Sequence, residues 1–303
     1  MSVLASLLNR FREKRWAKWL AFSLFSWLVF SLSLYLTFPS EAVRDRVVKA
    51  AEQQGLKLRM ESVGLSFPPG LSLRETYLIL REPDPQAEKA AVAIHLPKAT
   101  LRPSLLGLVT GKPSLSFDAR IWGGTLSGKA GKSDEGASIQ ARLRGADLSQ
   151  SMLGALGLQF EGTIEELRLE AAGSQLKDLE GELVLHGEGL VLNGGEVNHF
   201  SLPKVTLGTL EGKLTLGEGR AEIEEFSANG ADITAMVEGS IRFADRLGLS
   251  TLQTKLRFKP SEDWWEQNEM LRAGAAMALR KDSDGFHNIQ LYGQLSKPRF
   301  RMN

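Results

Sequence analysis

The chain has no cysteine among its 303 residues, so a disulfide framework, a thiolate metal site and a cysteine nucleophile are all excluded. It also has no excess of charge of either sign: 37 basic and 36 acidic side chains give a formal net charge of +1. This balance provides no electrostatic field for collecting nucleic acid or an acidic partner. Proline is scarce, with 11 residues against 30 glycines, which predicts a folded chain with many tight turns.

Recognisable catalytic motifs are missing as well. No zinc-protease, nucleophile-elbow or phosphate-loop pattern occurs, and the histidines show no metal-ligand spacing. The four histidines are His95, His186, His199 and His287. The acidic pairs Glu165-Glu166 and Glu224-Glu225 do not suggest an acid and base couple, because adjacent strand residues point to opposite faces. We therefore expect no catalytic residue, no metal site, no cofactor and no enzymatic activity.

One long apolar run stands out against this balanced composition. Residues 19–38 read WLAFSLFSWLVFSLSLYLTF and contain no charged side chain. As an α-helix the run would be about 30 Å long, which matches the hydrocarbon core of a bilayer. It is apolar all round, and it predicts a single transmembrane helix at 19–38. The residues expected to anchor this helix in the membrane are Trp19, Trp27, Tyr35 and Phe38.

Basic residues in front of the run predict its orientation. They are Arg10, Arg12, Lys14, Arg15 and Lys18. Because such residues stay in the cytoplasm, residues 1–18 are predicted to form a cytoplasmic tail and the remaining chain to lie across the membrane. The alternative is a signal peptide cleaved after Ala42, since Ser40-Glu41-Ala42 fits a small-x-small cleavage site. A retained anchor is favoured because the run exceeds the roughly 7–15 apolar residues of a signal peptide.

The rest of the chain predicts a short helix and then a large β domain. Residues 39–55 form the predicted juxtamembrane helix, with Ser40 as a candidate N-cap. From residue 56 to 303 apolar and polar residues alternate, as in an antiparallel sheet with one face covered. We expect a mainly β fold, either a curved antiparallel multi-stranded sheet or a flattened barrel, with a few short helices. The glycine groups at 187–189 and 217–219 are interpreted as turns between strands.

Two adjacent tryptophans are the candidate interaction residues. Trp264 and Trp265 lie in a helix predicted from Ser261, its N-cap, to Ala278. This position would leave at least one indole near the surface, where tryptophan is enriched in interaction hot spots. In the alternative interpretation, one ring packs on the sheet and the other half-covers it.

Several segments, taken in their order along the chain, resemble the type II secretion system protein N family (GspN) in its longer form. They are residues 36–43 (LTFPSEAV), 65–73 (LSFPPGLSL), 101–106 (LRPSLL), 117–128 (FDARIWGGTLSG) and 292–300 (YGQLSKPRF). The resemblance extends over essentially the whole chain. It is carried by strand and turn patterns, so no catalytic residues can be transferred with it.

The resemblance implies a bacterial inner-membrane protein with a cytoplasmic N-terminus and a periplasmic β-rich domain at 56–303. Its implied function is that of a non-enzymatic scaffold or tether in protein export across the outer membrane. The implied partners are the membrane, other inner-membrane subunits of the type II secretion system, or the secretin. The resemblance also implies a likeness to AsmA-like proteins, whose long sheets form an apolar groove for lipid. Lipid binding or transfer along such a groove is therefore the alternative function.

Overall fold

A β-sheet whose strands follow one another in chain order forms the main body of the structure. The structure is a computed structural model that describes residues 15–53, 57–66, 70–81, 92–104, 107, 110–133, 136–151, 158–197, 200–245, 249–295 and 297–302. Of the five basic residues predicted to set the orientation, three lie outside these ranges: Arg10, Arg12 and Lys14.

Four α-helices occur within these ranges. They are α1 (Arg15–Leu36), α2 (Ser40–Gln53), α3 (Glu262–Gln267) and α4 (Glu269–Ala278), and short 3-10 helices lie at Leu148–Gln150 and Leu176–Asp178. Helix α1 covers most of the run at 19–38, and α2 lies where the sequence predicts the juxtamembrane helix. No helix in the described part of the chain is both long enough and apolar enough to cross a membrane.

The single helix predicted from Ser261 to Ala278 is in fact two helices. Asn268 separates them, with φ −129° and ψ 50°, which are not helical angles. Ser261 is the N-cap that the sequence predicts: its Oγ accepts a hydrogen bond from the Trp264 backbone N at 3.2 Å. Residues 262–278, which include both helices, are called the helical cover below.

Within the described ranges the sheet has 15 strands. They are β1 (Lys57–Ser66), β2 (Gly70–Arg81), β3 (Val92–Pro103), β4 (Ser114–Ile121), β5 (Gly124–Ser133), β6 (Gly136–Asp147), β7 (Leu158–Gly173), β8 (Glu180–Val197), β9 (Phe200–Leu202), β10 (Val205–Gly217), β11 (Arg220–Asn229), β12 (Ile233–Arg242), β13 (Thr251–Pro260), β14 (His287–Gln294) and β15 (Lys297–Met302).

Each strand pairs antiparallel with the next one, from β1 to β8 and from β10 to β15. Strands β9 and β10 lie one after the other along the same edge of β8, because Leu202 pairs with Gly195 and Val205 pairs with Leu192. In the described residues β1 and β15 are the two ends of this order, so the sheet is open. It is also curved. The prediction of a mainly β, curved antiparallel sheet is confirmed, and the flattened-barrel alternative is not realised.

The two glycine groups interpreted as turns have different outcomes. The turn between β10 and β11 is confirmed: Glu218 and Gly219 have φ values of 50° and 73°, the positive values that a tight type I′ hairpin turn requires. The group at 187–189 is no turn, which corrects the prediction. It lies inside β8, where the pairing with β7 shifts register between Glu161 and Thr163. The sheet accommodates the extra residues as a bulge and the strand continues.

Buried apolar side chains form three clusters along one face of the sheet. At the β1 end, Val43 and Val47 of α2 pack against Met60, Val63 and Leu73. The middle cluster contains six buried residues, of which five belong to β4, β6, β7 and β8 and Leu148 belongs to the first 3-10 helix: Ile121, Leu143, Ala146, Leu148, Ile164 and Leu190. The third cluster joins the helical cover to β10 through Val205, Trp264 and Trp265. Helices therefore pack on this face near both ends of the strand order.

Candidate apolar binding site

One face of the sheet presents apolar side chains in register from strand to strand. Side chains two residues apart on a strand lie on the same face, and directly paired residues on neighbouring strands lie on that face together. One such row runs across β6, β7, β8, β10 and β11 as Ala141, Leu169, Leu183, Leu214 and Ile223. A second row contains Leu126, Leu143, Leu167 and Leu185. We call the side of the sheet that carries these rows the apolar face.

The apolar face is incompletely covered between its helical ends. Ile139 of β6 pairs with Ala130 and Ala171 on this face and is still 36% exposed. Leu169, Leu183 and Leu214 are neither fully buried nor fully exposed. A sheet face whose leucines and isoleucines keep part of their surface in water offers binding area for another apolar molecule.

An apolar cavity lies beneath the helical cover. Its volume is about 510 Å³, within the usual size range of small-molecule pockets. The described residues that line it carry no charged side chain: Leu192, Pro203, Val205, Ile233, Phe258, Pro260, Trp264, Trp265, Met270, Leu271, Gly274, Ala275, Leu279 and Ile289. Most of them come from β8, β10, β12, β13, β14 and the helical cover, so residues far apart in the sequence build one wall. A wall of this composition is complementary to hydrocarbon and offers no partner to a charged group.

Both candidate interaction residues form part of this wall. Trp264 is 9% exposed and Trp265 is 4% exposed, so the expectation of an indole near the surface is corrected. The Nε1 of Trp264 donates a hydrogen bond to the carbonyl oxygen of Lys204 at 3.1 Å. The two indoles meet edge to face, with their centroids 5.1 Å apart. The sequence could not place them inside because their burial depends on β10, about sixty residues upstream.

A buried histidine lies beside the cavity. His287, the first residue of β14, is 2% exposed, and its cross-strand partner is the cavity residue Phe258. Its imidazole centroid is 5.5 Å from that of Phe258 and 5.9 Å from that of Trp265, which also lines the cavity. Burial lowers the pKa of His287 below its usual value, and the nearby positive charge of Lys281 lowers it further. The imidazole is therefore neutral near pH 7.

A charged network holds the segment that joins the helical cover to β14. Asp282 accepts hydrogen bonds from the guanidinium of Arg257 and from the backbone N of Phe286. Partial burial by itself would raise the pKa of Asp282, but these hydrogen bonds and those from Asn288 and the Asp284 backbone outweigh it and lower the pKa to about 2. Asp282 is thus ionised throughout the neutral range.

Other residues singled out in the sequence lie away from the cavity. Trp19 and Trp27 are exposed on α1, at 72% and 59%, while Phe38 packs against the cluster beneath α2. Tyr35 and Arg15 belong to α1, as does Lys18, whose side chain is exposed. Phe38 thus contacts the β domain, which the prediction of a membrane-anchoring role did not include.

One glutamate of each acidic pair forms an ion pair with a basic residue of a neighbouring strand. Glu166 is 3.0 Å from Arg142 and Glu224 is 2.7 Å from Lys213. The hydrogen bond from Lys213 lowers the pKa of Glu224. Within the described ranges no group of three or more histidine and acidic side chains is arranged to hold a metal ion.

Comparison with known proteins adds no relative. No family model, no curated protein and no solved structure matches this chain. Its function is therefore inferred from the sequence and from the geometry above.

Proposed function

We propose that this protein binds the acyl chains of lipids on its apolar face, with the cavity under the helical cover as the principal binding site. The observation that carries the proposal is the cavity of about 510 Å³ whose described lining residues are all uncharged. A hydrocarbon chain gains about 25 cal/mol for each Å² of apolar surface removed from water. A charged headgroup would find no charged partner among these lining residues and would add little to the binding free energy. The hydrocarbon chain therefore provides the affinity.

The partly exposed rows on the apolar face extend the proposed binding surface beyond the cavity. The row of Leu169, Leu183, Leu214 and Ile223 extends the apolar surface from β7 to β11. An acyl chain that leaves the cavity would therefore meet further hydrocarbon before it meets water. This continuity favours lipid binding or transfer over a site for a compact polar metabolite.

In this proposal the protein is attached to the bacterial inner membrane by a single span at residues 19–38, with the β domain in the periplasm. Two observations support the attachment: the run contains no charge, and several apolar side chains of α1 are more than half exposed. These side chains are Trp19, Leu20, Phe22, Leu24, Phe25, Trp27 and Phe30. Exposed aromatic and leucine side chains on one helix are favoured by lipid and disfavoured by water.

The attachment is tested by alkaline phosphatase fused after Asn303, which we expect to be active because the enzyme folds only outside the cytoplasm. The protein should also stay with the membrane pellet after alkaline extraction. An inactive fusion would show that the β domain lies in the cytoplasm. Recovery of a shortened protein in the soluble periplasmic fraction would show that the segment is cleaved after Ala42.

Two neighbouring substitutions on α4 test the acyl-chain site. Ala275 lines the cavity, whereas Ala276 is exposed on the same helix. The full-length wild type, purified in mild detergent, should carry co-purified lipid in native mass spectrometry. Ala275→Trp fills the cavity and should remove most of this lipid, and Ala276→Trp should retain it. The absence of bound lipid from the wild type, or equal lipid in both variants, would contradict the proposal.

A scaffold or tether of a type II secretion apparatus is a second candidate, favoured by the open edge strand β15. Phe300 on this strand is 58% exposed, and an unpaired strand edge can accept a strand from a partner. The tether would raise the local concentration of the β domain for other anchored subunits. Deletion of residues 297–302 should then abolish co-purification of the secretin, while Ala275→Trp leaves it intact. The opposite pattern would favour lipid binding alone.

A further inference from the structure

We propose that the ligand of the cavity is a single-chain lipid with a free carboxyl group, a long-chain fatty acid, whose carboxyl group hydrogen-bonds to the imidazole of His287. This inference rests on the acyl-chain site proposed above and adds the chemical class of its ligand. It assigns to His287 the recognition of the polar end of that ligand.

The imidazole of His287 lies at the border of the cavity. His287 shares a cross-strand pair with Phe258, and its ring contacts the edge of Trp265; both of these residues line the cavity. Ile289, two residues further along β14 and on the same face, also lines it. The imidazole therefore adjoins three residues of the cavity wall.

The same imidazole has an unsatisfied polar atom. The Nδ1 of His287 is buried and has no hydrogen-bond partner in the described part of the chain. A buried polar atom without a partner is unfavourable, and such atoms in native proteins are usually paired by a residue, a water or a ligand. Of the two indoles in the wall, that of Trp264 already donates its N–H to the carbonyl oxygen of Lys204. Nδ1 of His287 is a buried atom beside the cavity that still has a hydrogen bond to give or accept.

The charge beside the imidazole favours an acidic ligand. Lys281 forms an isolated β-bridge with His287, and its positive charge contributes to lowering the pKa of the imidazole. A positive charge beside a neutral imidazole favours an acidic ligand end over a neutral ester. The nearby carboxylate of Asp282 forms an ion pair with Arg257. Its negative charge therefore cancels only part of the attraction between Lys281 and an acidic ligand. A diacyl phospholipid has a second acyl chain and a bulky headgroup, whereas the border of the cavity offers one imidazole and one ammonium group. A single-chain fatty acid therefore fits this border better.

The inference is tested by photo-crosslinking of the full-length protein in mild detergent. The two probes are palmitic acid with a diazirine in the middle of its chain and the methyl ester of the same compound. Peptides that cover residues 262–279 report the cavity after digestion and mass spectrometry. Peptides from α1 report probe dissolved in the micelle, and their labelling normalises the two probes. We expect the acid to label the cavity peptides about tenfold more than the ester, because a carboxylate accepts a stronger, charge-assisted hydrogen bond from the imidazole than an ester carbonyl does.

Variants of the histidine identify the group that recognises the acid. In His287→Phe, labelling by the acid should fall to the level of the ester, while labelling by the ester stays unchanged. His287→Gln retains a hydrogen-bonding side chain and should keep part of the preference. Thermal melting shows whether each variant is folded, and the comparison of acid with ester in the wild type needs no variant at all.

The outcomes separate this inference from the proposed function. If the acid and the ester label the wild-type cavity equally, acyl-chain binding stands and the carboxyl recognition is wrong. If the acid preference survives in folded His287→Phe, His287 is not the recognising group and the inference is overturned. If neither probe labels the cavity more than it does in Ala275→Trp, the proposed function fails together with it.

Discussion

Arg257 donates two hydrogen bonds to the same carboxylate oxygen of Asp282, from Nε at 3.2 Å and from Nη2 at 2.9 Å. The two side chains are only 20% and 23% exposed, and the guanidinium also lies over the ring of Phe286 at 5.0 Å. Arg257 belongs to β13, whereas Asp282 lies between the helical cover and β14. The pair therefore fixes the segment that carries the chain from the cover back into the sheet.

The first prediction concerns how the pair of Arg257 and Asp282 affects stability at low pH. Asp282 has a pKa of about 2 in the folded protein against 3.8 ordinarily, so the unfolded chain binds a proton more readily as the pH falls. The stabilisation from the ionised Asp282 is complete above the ordinary value and is lost as the pH falls toward 2. We expect Asp282→Asn to lower the free energy of unfolding at pH 7 and to flatten its dependence on pH between about 4 and 2.

Urea unfolding at a series of pH values measures this effect. Asp284→Asn is the control, because Asp284 is 67% exposed and contributes a longer contact of 3.3 Å to the same arginine. The control should change stability less and keep the slope. An unchanged slope in Asp282→Asn would show that the carboxylate is not held as described.

The second prediction concerns the buried imidazole. The pKa of His287 is lowered by burial and by Lys281, so protonation is easier in the unfolded chain than in the folded protein. The neutral imidazole should make its full contribution to the free energy of unfolding above the ordinary pKa of 6.5. This contribution should decrease as the pH falls below that value. His287→Phe should remove this part of the pH dependence between about pH 7 and 5. Equal slopes for wild type and variant in that interval would refute the burial of a neutral histidine.

The third prediction concerns two glycines on β10. Gly208 has φ +67°, and a Cβ there would clash with the carbonyl oxygen of Asn229. A Cβ at Gly217 on the same strand would have no atom within 4 Å, and the φ of Gly217 is not positive. We expect Gly208→Ala to destabilise the fold by on the order of 2 kcal/mol, and Gly217→Ala to change stability little. Melting curves of both variants decide this, and equal melting temperatures would contradict the register of β10 with β11.

The fourth prediction concerns the apolar face outside the cavity. Ile139 and Gln140 are neighbours on β6, both exposed, with their side chains on opposite faces of the sheet. Ile139→Glu places a charge on the apolar face and should reduce the amount of co-purified lipid, because a carboxylate there must be desolvated when an acyl chain binds. Gln140→Glu adds the same charge to the polar face and should leave lipid binding unchanged. Equal lipid content in both variants would confine binding to the cavity.

Much of the sheet could be predicted from local sequence patterns. The alternation around Leu183, Leu185 and Leu214 indicates strands with one apolar face, and the Glu218-Gly219 turn is readable from its glycine. The length of β8 could not be read in the same way. The glycines at 187–189 suggest a turn. In the structure β8 continues through them to Val197, because it pairs with β7 and β10 on both sides and a β-bulge takes up the change of register. Partner strands supply the hydrogen bonds that decide this, and they are distant in sequence.

The candidate site was only partly predictable for a related reason. Trp264 and Trp265 are noticeable in the sequence, and Ser261 is a clear N-cap, but the burial of both rings follows from contact with Val205 and the carbonyl of Lys204. His287 looked like one of four isolated histidines. Its hydrophobic surroundings arise when β14 pairs with β13 and the helical cover folds over the pair.

Local chemistry was sufficient to specify a mainly β chain with alternating faces, a capped helix at Ser261, and an uncharged segment at 19–38, because each depends on neighbouring residues alone. Long-range packing decided which face of the sheet is covered to form a cavity and that both tryptophans are buried in the wall of that cavity. It also decided that His287 has a buried nitrogen without a partner among the described residues. Burial is a property of surfaces brought together from separate strands, and no local window of sequence contains both of those surfaces.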